Sequence, residues 1–139
     1  MNIETIPRSN GWGRSVLSIA AVPLLLSVSA QAFAADRYVR SDATGAGNGS
    51  DWTNAYTALP SSLVRGDTYY IADGSYSGYR FDDANSGSTI ITIKKAIPSD
   101  HGTSTGWSDS YGDGQAAFSG GLVFTTSYWV IDGQTGGGA

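Results

Sequence analysis

The chain has 139 residues, with 8 Lys and Arg against 12 Asp and Glu, and it contains no cysteine. This acidic balance argues against nucleic acid or an anionic lipid surface as the natural partner. Without cysteine there are no disulfides, so the core alone has to stabilise the fold. Of the 19 glycines, all but Gly11 and Gly13 follow Ala34, which leaves few side chains to bury. The core is therefore expected to be unusually regular, or to be completed by further protein.

The segment 1–34 has the composition of an export signal. Arg8 and Arg14 make the start positive, and Val16 to Val28 form an apolar stretch that small residues follow. Such a stretch is too short to span a bilayer comfortably, which disfavours an uncleaved anchor. Cleavage is predicted after Ala34, or alternatively after Ala32. The mature protein is then secreted or periplasmic, with no membrane partner once the signal is removed.

Residues 35–65 are predicted to form a short strand at Tyr38-Val39, a polar glycine-rich loop over residues 41–50 and a capping helix. Asp51 is placed to cap the start of that helix. Four apolar residues are spaced to share one of its faces: Trp52, Tyr56, Leu59 and Leu63. A helix of this kind would cover the open, hydrogen-bonding end of a sheet.

Residues 66–139 have the texture of strands and turns. The stretch GDTYYIADGSYSG, from Gly66 to Gly78, predicts a strand over 68–72 between two glycine turns, then an extended piece over 75–79. In the strand predicted over 90–95, Ile91 and Ile93 can face inward while Thr92 and Lys94 face water. A polar loop over 98–114 follows, and further strands are predicted over 116–118, 122–125 and 128–131.

One internal repeat is visible. The hexapeptide YYIADG, from Tyr69 to Gly74, matches YWVIDG, from Tyr128 to Gly133, without a gap. The match is either chance similarity between two strand-turn units or a sign that the chain returns to an equivalent place in a stack. Stacked repeats need about three turns and a cap to be stable, so we expect more turns after Ala139.

The order of these segments resembles the N-terminal end of secreted right-handed parallel β-helix proteins of the pectate-lyase-like superfamily. The segments that carry the resemblance are the signal, the YV strand, SDWTNAYTAL, GDTYYIADGSYSG, IITIKKA and YWVIDGQT. They cover Tyr38 to Gly133. The resemblance implies an all-β fold in which residues 35–65 cap one end and residues 66–139 form the first one or two coils. The remainder of the same β-helix would be the immediate partner of this truncated piece.

The resemblance also implies a protein that binds or acts on polysaccharide. Lyases of this superfamily abstract a proton next to a uronate carboxyl with an Arg or Lys base, often with Ca²⁺, on coils in the middle of the solenoid. No residue here matches those positions, so no catalytic residue is predicted and the piece alone is expected to be inactive. If the full-length protein is an enzyme, the resemblance implies a polysaccharide lyase or a glycoside hydrolase. No cofactor is predicted in this chain, and Ca²⁺ is a candidate for the full-length protein. The alternatives are a non-catalytic surface or adhesion solenoid and a small carbohydrate-binding β-sandwich.

A carbohydrate site is predicted from four side chains. Trp107 and Tyr111, in the long loop, have apolar faces on which a sugar ring can stack. Arg80 and Lys94 can form a small basic patch, which Lys95 could join, for an acidic polysaccharide. Core packing of the aromatic residues and a solvated strand face are the simpler alternatives.

The metal candidates are three carboxylates. Asp73, Asp82 and Asp83 are expected to lie near one another on one side of the first coil, where they can bind Ca²⁺. Aspartates in turns also commonly accept hydrogen bonds from backbone N–H groups, which is the alternative for these three residues. The single histidine, His101, has neither a cysteine nor a G-x-S-x-G elbow to serve, which argues against catalysis and against zinc.

Overall fold

The computed structural model of the protein describes residues 33–133, and these form six strands and one turn of 3₁₀ helix at Asp109–Tyr111. The strands are β1 (Asp36–Val39), β2 (Thr68–Ile71), β3 (Gly74–Phe81), β4 (Ile91–Lys95), β5 (Ala116–Phe124) and β6 (Trp129–Asp132). The predicted signal lies outside the described residues, apart from Phe33 and Ala34.

All strand pairs are parallel and belong to two sheets. One sheet has the order β1-β2-β4-β6, and the other pairs β3 with β5. From β2 onward the chain alternates between the two sheets. The predicted all-β class is confirmed, whereas parallel pairing does not fit the β-sandwich alternative, whose sheets are antiparallel.

The four-stranded sheet is covered on both faces at β1 and β2, because consecutive residues of these strands are buried and belong to two different clusters. Ile91 and Ile93 face the second sheet, as predicted, and belong to a core that both sheets share. That core contains Val39, Leu63, Tyr69, Ile71, Tyr76, Phe81, Ile91 and Ile93. A second cluster lies on the opposite face: Tyr38, Trp52, Ala55, Tyr70, Ala72 and Ala96.

The helix predicted over Asp51–Leu63 is wrong, since these residues form bends and turns. Asp51 makes the hydrogen bond expected of an N-cap, although no helix follows: its Oδ1 accepts the N–H of Asn54 at 2.8 Å. The Asn54 carbonyl, however, accepts the N–H groups of Asn48 and Gly49 at 2.9 and 2.8 Å. A bond to the glycine-rich loop therefore takes the acceptor that a growing helix would use.

The same segment covers the free edge of β1 by strand-like pairing. Tyr56 donates its N–H to the Tyr38 carbonyl at 2.9 Å and accepts the N–H of Arg40 at 2.8 Å. Two of the apolar residues predicted for the helix face, Trp52 and Leu63, are nevertheless buried. The predicted cover of the sheet is present, in an extended form.

The repeat is placed differently from its sequence alignment. Strands β2 and β6 do lie in the same sheet, with β4 between them. The register joins Tyr69 to Ile93 and Ile93 to Ile131, so Tyr69 is equivalent to Ile131 and not to Tyr128, its match in the alignment. The structural register is thus shifted by three positions. A shift of three is odd, so it exchanges the two faces of the strand.

Strand β5 merges two predicted strands through a bulge. Ser119 pairs with Ser77 and Leu122 with Tyr79, so Gly120 and Gly121 lie opposite the single residue Gly78. A Cβ on Gly78 would lie 2.7 Å from the Gly121 carbonyl oxygen. The two strands approach so closely here that only glycine fits.

Candidate functional site on the outer face of the four-stranded sheet

A row of polar side chains crosses the face of the four-stranded sheet that points away from the second sheet. The register places Tyr38, Tyr70, Lys94 and Asp132 side by side on successive strands. The rings of Tyr38 and Tyr70 are stacked with centroids 5.8 Å apart, and the Lys94 ammonium lies 5.8 Å from the Tyr70 centroid. Burial raises the pKa of both phenols, so both remain protonated at neutral pH.

Lys94 is the fixed positive charge of this row. Its Nζ lies 2.6 Å from Asp100 Oδ2, and 22% of its side chain is exposed. The hydrogen bond to Asp100 raises the pKa of Lys94 against an opposing effect of burial, and the charge of Asp132 acts in the same direction as Asp100. A general base needs a pKa near the working pH. Lys94 is therefore suited to binding a hydroxyl or an anion and not to abstracting a proton.

The loop that follows β4 forms a wall beside this row. It is anchored by the Trp52 indole, which donates to the His101 carbonyl at 3.0 Å, and by the Thr103 N–H, which donates to the Tyr38 hydroxyl at 2.9 Å. Gly102 has a φ of 67°, and a Cβ there would lie 2.6 Å from the same Tyr38 hydroxyl oxygen. Glycine is thus required where the loop passes over Tyr38.

The predicted aromatic platform is engaged in packing within this loop. The Trp107 ring lies parallel to the His101 ring at 4.2 Å and against Trp52 at 4.9 Å. Its Nε1 donates to Asp109 at 2.9 Å. A sugar ring would have to displace His101 to reach that face of Trp107.

Tyr111, the second residue of the predicted platform, is covered in a similar way. The Arg40 guanidinium carbon lies 4.5 Å from the centroid of its ring, and Trp107 meets it edge to face at 5.9 Å. The contacts of Trp107 and Tyr111 are therefore those of packed side chains, which was the alternative to a sugar-binding platform.

The predicted basic patch is divided between the two sheets. Arg80 lies on β3, is 63% exposed and has Asp82 Oδ2 at 3.5 Å, whereas Lys94 lies on β4. Their neighbour Lys95 points into the protein and is only 8% exposed.

The three candidate metal ligands do not form a shared group. Asp73 pairs with Lys95 Nζ at 2.5 Å and accepts the N–H of Gly114. Asp83 accepts the Ser62 hydroxyl and the Leu63 N–H, both at 2.9 Å, and Asp82 faces Arg80. Among residues 33–133 no three His, Cys, Asp or Glu side chains are placed to hold a metal ion. The expected convergence is wrong because backbone N–H groups and basic side chains take these oxygens in different places.

Sequence reasoning missed the buried pair of Lys95 and Asp73. Lys95 lines a cavity of about 260 Å³ whose other lining residues include Ile71, Ile93, Phe118, Leu122 and Ile131. The strict alternation of β4 contained the signal, because a strand that turns Ile91 and Ile93 inward also turns Lys95 inward. Sequence reasoning also missed Asp67, a buried carboxylate in the turn before β2.

No family model, no curated protein and no solved structure matches the chain. The resemblance to the pectate-lyase-like superfamily rests on the order of segments in this sequence alone. Within residues 33–133 no helix is long and apolar enough to cross a membrane.

Proposed function

We propose that this chain is the N-terminal part of an exported right-handed parallel β-helix protein that binds or acts on polysaccharide. The alternation between two parallel sheets supports the architecture. Each of β4, β5 and β6 pairs with the strand two before it in the chain, so every return brings a new strand beside its predecessor. Any catalytic residues would lie on further coils of the same protein.

The last strands of both sheets fit this architecture, because they present an apolar surface that further coils would cover. The large apolar residues of this surface are 38% to 48% exposed: Leu122, Val123, Phe124, Tyr128, Val130 and Ile131. The cavity of about 260 Å³ lies between the same strands. Contiguous apolar exposure of this kind is typical of an interaction surface.

The polysaccharide part of the proposal is carried by one observation, the row of Tyr38, Tyr70, Lys94 and Asp132 beside the anchored loop. Tyr38 and Tyr70, at 3% and 9% exposed, are the buried end of this row. The Lys94 ammonium, 22% exposed, can bind hydroxyls or acidic groups of an extended chain, and the Asp132 carboxylate beside it can accept from hydroxyls. The raised pKa of Lys94 supports a binding role and not that of a base. A lyase or hydrolase reaction would need a base and an acid from outside the described residues.

The test is affinity electrophoresis of the exported protein in gels that contain polygalacturonate, alginate, chondroitin sulfate or a neutral glucan. We expect one polysaccharide to retard the protein, Lys94→Gln to weaken that retardation about tenfold, which corresponds to about 1.4 kcal/mol, and Lys94→Arg to weaken it less. No retardation in any gel would contradict the proposal. A loss with Arg80→Ala and none with Lys94→Gln would move the site to β3.

The non-catalytic surface solenoid is the competing function, and the same material distinguishes it. The exported protein is incubated with the polysaccharide that binds, and unsaturated or reducing ends are measured. Binding with no new ends favours the surface protein, whereas new ends favour the lyase or the hydrolase.

A further inference from the structure

A buried carboxylate holds the beginning of β1. Asp67, in the turn before β2, is 2% exposed. Its Oδ1 accepts the N–H of Ala35 at 2.9 Å, and its Oδ2 accepts the Nε of Arg37 at 2.9 Å. The Ala35 carbonyl in turn accepts the N–H of Thr68 at 3.0 Å. Both the N–H and the carbonyl of Ala35 are thus hydrogen-bonded, which fixes the position of the Ala35 nitrogen.

Ala35 is also the residue that becomes first if the leader is cut after Ala34. The two described residues before it are not buried, since Phe33 is 89% exposed and Ala34 is exposed. The nitrogen that faces the buried carboxylate is therefore the same atom that such a cut would convert from an amide into an amine.

We propose that removal of the leader after Ala34 turns the Ala35 nitrogen into an ammonium that ion-pairs with the buried Asp67 carboxylate, so that processing itself strengthens the anchoring of β1. The inference rests on the export proposed above, and it selects the Ala34–Ala35 bond over the Ala32–Phe33 bond. In the hydrolysis by a leader peptidase, the Ala34 carbonyl carbon takes the hydroxyl of water and the Ala35 nitrogen takes the hydrogen. The amine then takes up the proton that the new carboxyl group releases.

The local environment favours this ammonium. A charge-assisted hydrogen bond is roughly twice as strong as one from a neutral amide. Asp67 is already buried and hydrogen-bonded, so the new pair adds little desolvation on the carboxylate side. Ala35 itself is half-buried, which leaves water for the hydrogens of the ammonium that Asp67 does not bind.

The pH dependence follows from the groups around the pair. These are Arg37 and the exposed Asp36 on β1, Tyr69 on β2, and Tyr56 of the segment that pairs with β1. The hydrogen bond to Asp67 raises the pKa of Arg37, and burial raises the pKa of Tyr69. A free α-amino group has a pKa of about 7.7–8.0, and the Asp67 carboxylate raises it. The stabilisation is thus complete below about pH 8 and is lost as pH rises through the raised value.

The experiment begins with export of the full precursor and the intact mass of the recovered protein, which we expect to begin at Ala35. Thermal unfolding is then measured from pH 6.5 to pH 9.5, with an expected fall in Tm of about 5 °C for a loss of about 1 kcal/mol. In Ala34→Leu the cut moves to Ala32 or does not occur, so the Ala35 nitrogen stays an amide. We expect this variant to have the lower Tm at pH 6.5 and a flat pH profile.

Two carboxylate variants complete the design. Asp67→Asn removes the partner of the ammonium and should abolish the pH dependence, whereas Asp42→Asn removes an equal charge from a carboxylate that is 74% exposed and should preserve it. If Asp67→Asn does not fold, cyanate modification of the α-amine gives the same comparison, because it removes the charge and retains an N–H.

A mature protein that begins at Phe33 would overturn this inference, and so would equal Tm values for the processed protein and Ala34→Leu at pH 6.5. Neither result would affect the polysaccharide test, which is run at a single pH on the Lys94 variants. Recovery of the unsubstituted protein with its leader attached would instead contradict export, and with it both proposals.

Discussion

Tyr76 and Tyr79 show how single hydroxyls on β3 join the second sheet to the rest of the protein. The Tyr76 hydroxyl donates to the Ala72 carbonyl at 3.0 Å, and the Tyr79 hydroxyl donates to the Pro60 carbonyl at 2.6 Å. Burial raises the pKa of each phenol to about 12, with nearby Asp side chains adding to the effect. Both tyrosines therefore stabilise the fold only while they are neutral.

The alkaline behaviour of the protein follows from these two phenols. An unfolded tyrosine has a pKa of about 10, so their contribution to stability is complete below pH 10 and is lost between about pH 10 and 12. We expect the free energy of unfolding in urea to fall steeply over that interval. Tyr76→Phe should cost about 1 kcal/mol at pH 7 and should make the alkaline fall less steep.

Tyr128→Phe is the matched control, since Tyr128 is 45% exposed and its change to Phe should leave the profile unaltered. Tyrosinate absorbance provides an independent reading. Complete ionisation of all tyrosines near pH 10 in the folded protein would contradict this account.

At the scale of elements, Arg65 connects two loops to the turn before β2. Its guanidinium donates to the Asp83 carbonyl at 2.6 Å and to the Ser127 and Tyr128 carbonyls at 2.9 and 3.0 Å. Its Cζ lies 4.5 Å from the centroid of the Trp129 ring. The connection from β3 to β4 and the connection from β5 to β6 are thereby held by one side chain.

Loss of this side chain should destabilise the whole fold. We expect Arg65→Ala to lower the free energy of unfolding by about 2–4 kcal/mol, because several carbonyls lose a charged donor and Trp129 loses its cation. Arg65→Lys should recover less than half, since an ammonium cannot reproduce the planar fork of donors. Arg80→Ala serves as the control on stability and should stay within about 0.5 kcal/mol. Equal effects of the two alanine variants in urea unfolding would refute the role of Arg65.

The strands could be predicted from the sequence, whereas the cap could not. Apolar residues such as Ile91 and Ile93 alternate with polar ones over a few positions. That short pattern is enough to predict both the strand and which side chains face inward. Asp51 and Trp52 have the local pattern of a helix start, but the bonds of Asn54 to the glycine-rich loop and of Tyr56 to β1 decide the conformation of the segment. Lys94 could be selected as a site residue because it is one of only three Lys or Arg residues after Asp67. The position of its charge depends on Asp100, which is brought to it by the fold.

At the scale of the whole molecule, the two ends of the four-stranded sheet differ in cover. Strands β2 and β4 have a neighbour on both sides; β2 has buried residues on both faces, and β4 buries Ile91 and Ile93 on the face towards the second sheet. Strand β6 pairs with β4 alone among the described strands, and its Val130 and Ile131 are 41% and 48% exposed. Local opening should therefore need the least free energy at β6.

Native-state hydrogen exchange tests this gradient. We expect the amides of β2 and β4 to be protected at least tenfold more strongly than those of β6, a difference of about 1.4 kcal/mol in opening free energy. The amides of β5 should resemble those of β6. Equal protection of β4 and β6 would contradict the gradient and would mean that something covers β6 in solution.

The order in which strands join the sheet has a consequence for how the chain acquires its structure. Strand β2 pairs with β1 through Thr68 and Asp36, β4 pairs with β2 through Thr92 and Thr68, and β6 pairs with β4 through Val130 and Thr92. Each strand of this sheet after β1 therefore docks on a strand that has already left the ribosome, whereas β3 has to wait for β5, its only partner among the described strands. The four-stranded sheet can thus be built from its N-terminal strand outward while the rest of the chain is still being synthesised.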